Sequence, residues 1–234
     1  MKDLSIVIPA YKEDIHGIEC LYQKLTLLGA EIIVVDDGNS MPDLEIPYHT
    51  YPANVGYGYA IKEGIKLSTR QFILTMDSDL QHTVSDAQKL YAVFKLSDNF
   101  DMVVSMRYGL KEKPHRWIGR KLLNFVASLI AGHYLIDLNS GMRIFRRELA
   151  LGYSPILCDT FSFTTSLTMA MLTDGHKAFY FPITVQPRAN GKSHVRLVKD
   201  GLVTLYYIVW VGLALRTRNI RRKIRTTLGL STRS

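Results

Sequence analysis

Cysteine is scarce in this sequence: Cys20 and Cys158 are the only two in 234 residues. That excludes a disulfide scaffold and a cysteine-built metal site, and it points to a reducing compartment. No uncharged apolar stretch reaches the roughly 20 residues that a spanning helix needs. There is no fixed-period repeat and no low-complexity tract. Gly56 and Gly58, in NVGYGY, match neither the spaced glycines of a dinucleotide site nor a phosphate-binding P-loop, which speaks against NAD and ATP enzymes. Five apolar residues follow Met1-Lys2-Asp3, too few for a secretory h-region, so no signal peptide is expected. With 47% hydrophobic and 21% charged residues, whole-chain disorder is excluded and one globular body with a sizeable core is expected.

Acidic residues are missing after Asp200. Seven of the 29 Lys and Arg lie in the last 19 residues (Arg216, Arg218, Arg221, Arg222, Lys223, Arg225 and Arg233), so residues 1–215 carry only +1 of the formal +8. A body so near neutrality is no broad nucleic-acid-binding face, and no nucleic-acid partner is expected. Gly201–Leu215 (GLVTLYYIVWVGLAL) precedes the basic tail without a charge. As a helix it covers roughly 22 Å, short of the roughly 30 Å hydrocarbon core. It is expected to lie on, or dip into, the cytoplasmic face of a membrane, where each basic residue adds on the order of 1 kcal/mol. The alternative is a buried C-terminal helix with a solvated basic end. The expected division is a body over 1–195 and a helix with its tail over 196–234, with a membrane-protein partner or a second copy left open.

Strand and helix signals alternate. Leu4–Ile8, Glu31–Val35, Phe72–Met76 and Met102–Met106 are short apolar runs of the buried-strand type, and Tyr48–Tyr51 is a weaker one. Ile15, Ile18, Leu21, Leu25 and Leu28 recur at helical spacing, as do Ala87, Leu90, Val93 and Phe94. A helix opens near Asn54–Gly56 and another covers Arg116–Ala131. Beyond a loop at Asp137–Gly141 come a strand at Met142–Phe145, a helix at Phe163–Leu172 and a strand at Phe179–Val185. This pattern predicts an α/β fold, Rossmann-like, with a mostly parallel sheet flanked by helices.

The chemistry-bearing residues sit where such sheets bind ligands, beyond the carboxyl ends of strands. Asp77, Asp79 and Gln81, in MDSDLQH, offer two carboxylates and an amide oxygen to a hard divalent cation. Asp36-Asp37-Gly38 ends another strand and suits the hydroxyls of a ribose or the edge of a base, or else a plain Asp-Gly turn. Pro9, Tyr11 and Glu13 follow the first strand with an aromatic face and a carboxylate.

Taken in order, IVIPAYKE, IIVVDDGNS, NVGYGYAIKEGI, MDSDLQH, SMRY, DLNSGMRIFRRE and RANGKSH cover about residues 4 to 195. The chain resembles family 2 glycosyltransferases of the GT-A fold, in particular the polyprenyl-phosphate branch typified by dolichyl-phosphate mannose synthase. The resemblance implies that Pro9, Tyr11, Glu13, Asp36 and Asp37 contact the nucleotide. It implies that Asp77, Asp79 and Gln81 hold Mg²⁺ or Mn²⁺ against the donor diphosphate. Arg107 and Arg120, with Asn124 one turn later, would hold a lipid phosphate; Arg188, Lys192 and Ser193 would close over the donor phosphates. Asn124 stands where Ser is frequent, and His194 where Lys is usual. The implied reaction moves a sugar from a GDP- or UDP-linked donor to a polyprenyl phosphate with inversion. A glycan hydroxyl is the alternative acceptor; it would require a base, for which Asp137 is the candidate, although an Asx turn explains that residue equally simply.

Overall fold

In the computed structural model, described over residues 1–97, 99–108, 114–184 and 197–227, seven strands form one sheet with helices on both faces. The elements are β1 (Leu4–Ala10), α1 (Ile15–Thr26), β2 (Glu31–Asp36), β3 (Tyr48–Thr50), α2 (Tyr57–Leu67), β4 (Phe72–Thr75), α3 (Val84–Lys95) and β5 (Met102–Tyr108). They continue with α4 (Pro114–Ala131), β6 (Arg143–Arg146), α5 (Arg147–Tyr153), a short 3₁₀ turn, α6 (Phe163–Thr173), β7 (Ala178–Thr184) and α7 (Leu197–Thr227).

The strand order is β3-β2-β1-β4-β6-β5-β7, parallel except for β6, which runs against both β4 and β5. A mostly parallel sheet was expected; the two-turn helix α5 was not. The expected first strand also continues through Pro9 to Ala10. Met76 N donates to Val7 O and Asp37 N to Ala10 O, so odd residues of β1 face β4 and even ones face β2. Pro9 therefore faces the β4 side beyond Thr75, the partner of Val7, and its missing N–H removes no ladder bond.

Alternation along β1 divides the core. Ile6 and Ile8 pack with Ile18, Leu21 and Leu25 of α1 and with Leu90 and Phe94 of α3. Val7 packs on the other side with Ile61 and Ile65 of α2, in a cluster that takes in Phe163 of α6 and Ile208 of α7. Helix α3 starts cleanly because Thr83 and Asp86 form a capping box.

Helix α7 is two-faced. Thr204, Ile208, Val211 and Leu215 are buried, and Arg218 pairs with Asp174 at 2.8 Å. Ile208, Val211 and Leu215 of this helix belong to the same core cluster as Val7 and Phe163. Its outer face leaves Leu202, Tyr206, Trp210 and Leu213 exposed. The neighbouring α4 exposes Ile118, Leu122, Phe125 and Leu129, a stripe at i, i+4, i+7 and i+11. Gly212 lets the two helices approach, since a Cβ there would meet Ile130 Cγ2 at 2.2 Å. No helix among the described residues is long and apolar enough to cross a membrane.

Candidate functional site

The topology brings the sequence-predicted segments to one sheet edge. Because β1, β2, β4, β5 and β7 are parallel, residues 11–13, 37–40, 77–81 and 107–108 all fall at their carboxyl ends. The antiparallel β6 starts from that same edge, so the preceding loop, residues 132–142, joins them. The loops then bond to one another. Lys12, in the left-handed region at φ 53°, donates its N–H to Ser40 Oγ at 2.9 Å.

The two aspartates of the second loop do different things. Asp36 is solvent-inaccessible; its carboxylate accepts from Ser40 N (3.0 Å), Ser40 Oγ and Met41 N (3.0 Å). These bonds hold the loop of residues 36–41 in shape. Asp37 accepts from Val55 N (2.8 Å), Gly56 N (2.9 Å) and Asn54 Nδ2 (3.0 Å), tying β2 to the entrance of α2. Burial, with Asp37 alongside, raises the Tyr51 phenol above its ordinary value. Gly38 has φ +85°, and a Cβ there would meet Asn54 N at 2.6 Å, so glycine is required for the close approach. Pro9 is buried inside β1, whereas Tyr11 and Glu13 are half-buried just beyond it.

Asp77, Asp79 and Gln81 are all half-buried on the loop after β4. Gln81 N donates to Asp79 Oδ1 at 3.2 Å across Leu80, which takes φ 60°. Tyr57 Oη donates to Asp77 Oδ1 at 2.7 Å, and its ring stacks on Phe161 with centroids 5.7 Å apart. Burial first, and then the Asp77 carboxylate, raise the Tyr57 phenol well above its usual range, so it stays a donor. On the other side of Asp77 lies Gly141, where a Cβ would sit 2.2 Å from Oδ2. The donor set, two carboxylates and an amide oxygen with one carboxylate cradled by a glycine, fits a hard divalent cation. No group of three His, Cys, Asp or Glu that could hold an ion exists among the described residues. Oxygens of a bound ligand or water would complete the shell.

Tyr57 and Arg143 carry parts of this site that sequence reasoning missed. Each stood in the sequence only as one letter of a longer motif, NVGYGYAIKEGI and DLNSGMRIFRRE. Arg143 is fully buried, and its five hydrogen bonds go to Leu138 O, Ser140 O (two), Thr164 O and Thr168 Oγ1. Burial pulls its guanidinium down to about 10, against the pull of Asp137 and Asp77.

Asp137 is buried, and its Oδ1 accepts from Asn139 N at 3.1 Å, the Asx-turn geometry. Asn124, grouped with the acceptor arginines, is also buried and donates to Ile136 O at 2.6 Å; it holds the loop after α4. Arg120 is half-buried on α4, on the face opposite the apolar stripe and one turn before Asn124. Arg107 is the penultimate residue of β5, at the ligand edge. Arg188, Lys192 and Ser193, like His194, lie outside the described residues.

The fold is that of GT-A glycosyltransferases. The structure is similar to glucosyl-3-phosphoglycerate synthase from Mycobacterium tuberculosis in its complex with UDP, with a TM-score of 0.68 and 16% identity, over 92% of this chain and 80% of that one. The same enzyme in complex with Mn²⁺, UDP-glucose and phosphoglyceric acid superposes with a TM-score of 0.68, 16% identity and 92% and 79% coverage. The family model for glycosyl transferase family 2 matches residues 5–152, and the chain belongs to that family. An uncharacterized protein of Methanocaldococcus jannaschii is 32% identical over 162 residues, 63% of this chain and 66% of the relative. The undecaprenyl-phosphate 4-deoxy-4-formamido-L-arabinose transferase of Yersinia pestis is 27% identical over 197 residues, 72% of this chain and 59% of the relative. The chain thus matches two thirds or less of the length of these curated relatives.

Proposed function

We propose that this protein transfers a sugar, with inversion, from a GDP- or UDP-linked donor to a polyprenyl phosphate at the cytoplasmic face of a membrane. The observation that carries this reading is the coupling of an oxygen-donor site to an exposed apolar face. Gly141, against Asp77, lies in the loop that begins at the apolar helix α4, which packs against α7 and, like it, leaves an apolar stripe exposed. A polyprenyl phosphate has the matching chemistry, an anionic head on an apolar tail. The Yersinia relative, named for an undecaprenyl-phosphate substrate, supports the same acceptor class.

Asp77, Asp79 and Gln81 would hold Mg²⁺ or Mn²⁺, which when bound offsets the charge of the donor diphosphate and of the leaving nucleoside diphosphate. Tyr57 keeps Asp77 oriented. Tyr11 and Glu13 flank the nucleotide, with Asp37 holding the loop beneath it. Arg188, Lys192 and Ser193 bind the donor phosphates, and Arg107 and Arg120 orient the lipid phosphate, to which planar guanidinium groups bind bidentately. A phosphate oxygen then attacks the anomeric carbon and the nucleoside diphosphate leaves. The acceptor is already anionic and needs no general base, which leaves Asp137 its role in shaping the loop. The exposed faces of α4 and α7 lie on the bilayer, with the basic end of α7 toward anionic headgroups.

The test is transfer of radiolabelled sugar by the full chain from a panel of GDP- and UDP-sugars to polyprenyl phosphate, with Mg²⁺ or Mn²⁺. Acid-labile label in the organic phase is expected. Label appearing only in glycans would overturn the acceptor, and label independent of metal would overturn the role of Asp77 and Asp79.

A further inference from the structure

We propose that Arg143 is a positioning residue that sets the metal-binding carboxylate of Asp77 through the backbone of Gly141. The inference rests on the reading of Asp77 and Asp79 as metal ligands and adds what fixes their geometry. A guanidinium that loses all water normally pairs with a carboxylate, because burying an unpaired charge is costly. All five hydrogen bonds of Arg143 instead go to carbonyls and one hydroxyl, and three of them hold the 138–140 backbone. The other two anchor it to α6 through Thr164 and Thr168.

The same loop is pinned at two further points. Thr75 Oγ1 donates to Gly141 O at 2.6 Å, and the hydroxyls of Ser105 and Ser140 lie 2.5 Å apart. Thr75 is the register partner of Arg143 across β4 and β6, so clamp and acidic loop start from adjacent rungs of the sheet. The result is a rigid wall at Gly141 with space for a hydrogen and none for a methyl group. Asp77 is therefore held between that wall, against which both of its oxygens lie, and the Tyr57 hydroxyl, which donates to Oδ1. A ligand oxygen gains from such constraint, and loss of a group that orients a ligand typically weakens metal affinity about 10- to 100-fold.

The test uses Mn²⁺ as probe, titrated against the full chain with saturating GDP or UDP and followed by the electron paramagnetic resonance signal of free Mn²⁺. Arg143→Lys keeps the charge but cannot make five bonds. Gly141→Ala attacks the same wall from the other side; what it obstructs is the carboxyl group of Asp77 and not backbone, so the fold survives as Asp77 turns away. Both variants should raise the Mn²⁺ dissociation constant about tenfold or more, with urea midpoints showing that Gly141→Ala remains folded. Asp79→Ala is the reference. If Asp79→Ala abolishes binding while Gly141→Ala matches the parent, the positioning role is overturned and the metal site stands. If the parent itself binds no Mn²⁺ with either nucleotide, the metal reading fails and takes this inference with it.

Discussion

Replacing Asp37 with alanine separates two roles that a carboxylate at a strand end can play. In the structure its oxygens accept from Val55 N at 2.8 Å, Gly56 N at 2.9 Å and Asn54 Nδ2 at 3.0 Å. A hydrogen bond to a charged group contributes about 1.5–3 kcal/mol net. Asn54 and Val55 are exposed, so water takes over much of what their donors lose, whereas Gly56 is half-buried and its N–H loses more. Three coupled bonds, discounted for that rehydration, correspond to about 2–4 kcal/mol. Urea unfolding followed by circular dichroism reads this directly. At a slope of about 2–3 kcal/mol per molar, the midpoint should fall by roughly 1 M. Asp37→Asn should fall nearly as far, because its amide nitrogen faces donors where an acceptor is needed. An unfolding free energy within about 0.5 kcal/mol of the parent, with nucleotide binding lost, would refute the reasoning and return Asp37 to a direct ligand contact.

Tyr57→Phe keeps the ring against Phe161 but removes the bond to Asp77; the metal concentration for half-maximal transfer should rise several-fold, with the donor KM at saturating metal little changed. Leu122→Glu with Phe125→Glu places charge on the outer stripe of α4, and co-sedimentation with anionic vesicles should drop sharply while the melting temperature holds. Burial opposes ionisation of Asp174, but bonds from Tyr153 and Arg218 outweigh it and hold this carboxyl below its usual value of 3.8. A depressed carboxyl stabilises the fold above its unfolded pKa, and that contribution is lost as pH falls through the folded value. Asp174→Asn should therefore lower the melting temperature at pH 7 and leave it nearly unchanged at pH 2. Equal losses at both pH values would remove the electrostatic account.

Much of the fold was legible because strands and helices announce themselves in short windows. Leu4–Ile8, Glu31–Val35 and Phe72–Met76 are each a short, mainly apolar run, the first closed by Pro9 and the others by Asp36 and Asp77. Helix α5 was not legible: RELALGY is two turns long, follows β6 without an intervening turn signal, and has room for only Ala150 and Tyr153 to be buried. The exposed α4 stripe has the spacing of an ordinary core face, and only the packing shows that it points outward. Similarly, the tail segment 201–215 posed a choice between buried and surface-lying helix. One face of α7 is buried in the core and the other is exposed, which packing alone decides.

The sequence by itself determined the α/β alternation, the placing of acidic loops at strand ends, the oxygen-donor set Asp77, Asp79 and Gln81, and the concentration of charge beyond Leu215. Those properties depend on residue type and near-neighbour spacing alone. Tertiary structure decided that both carboxylates of the Asp36-Asp37 pair are buried against different loops, and that Tyr57 and Gly141 enclose Asp77 from positions 20 residues before it and 64 residues after it. It also decided that a buried arginine supports the enclosing wall. Such contacts arise where an antiparallel strand is inserted into a parallel sheet and returns a distant loop to the ligand edge, and no local periodicity encodes that return.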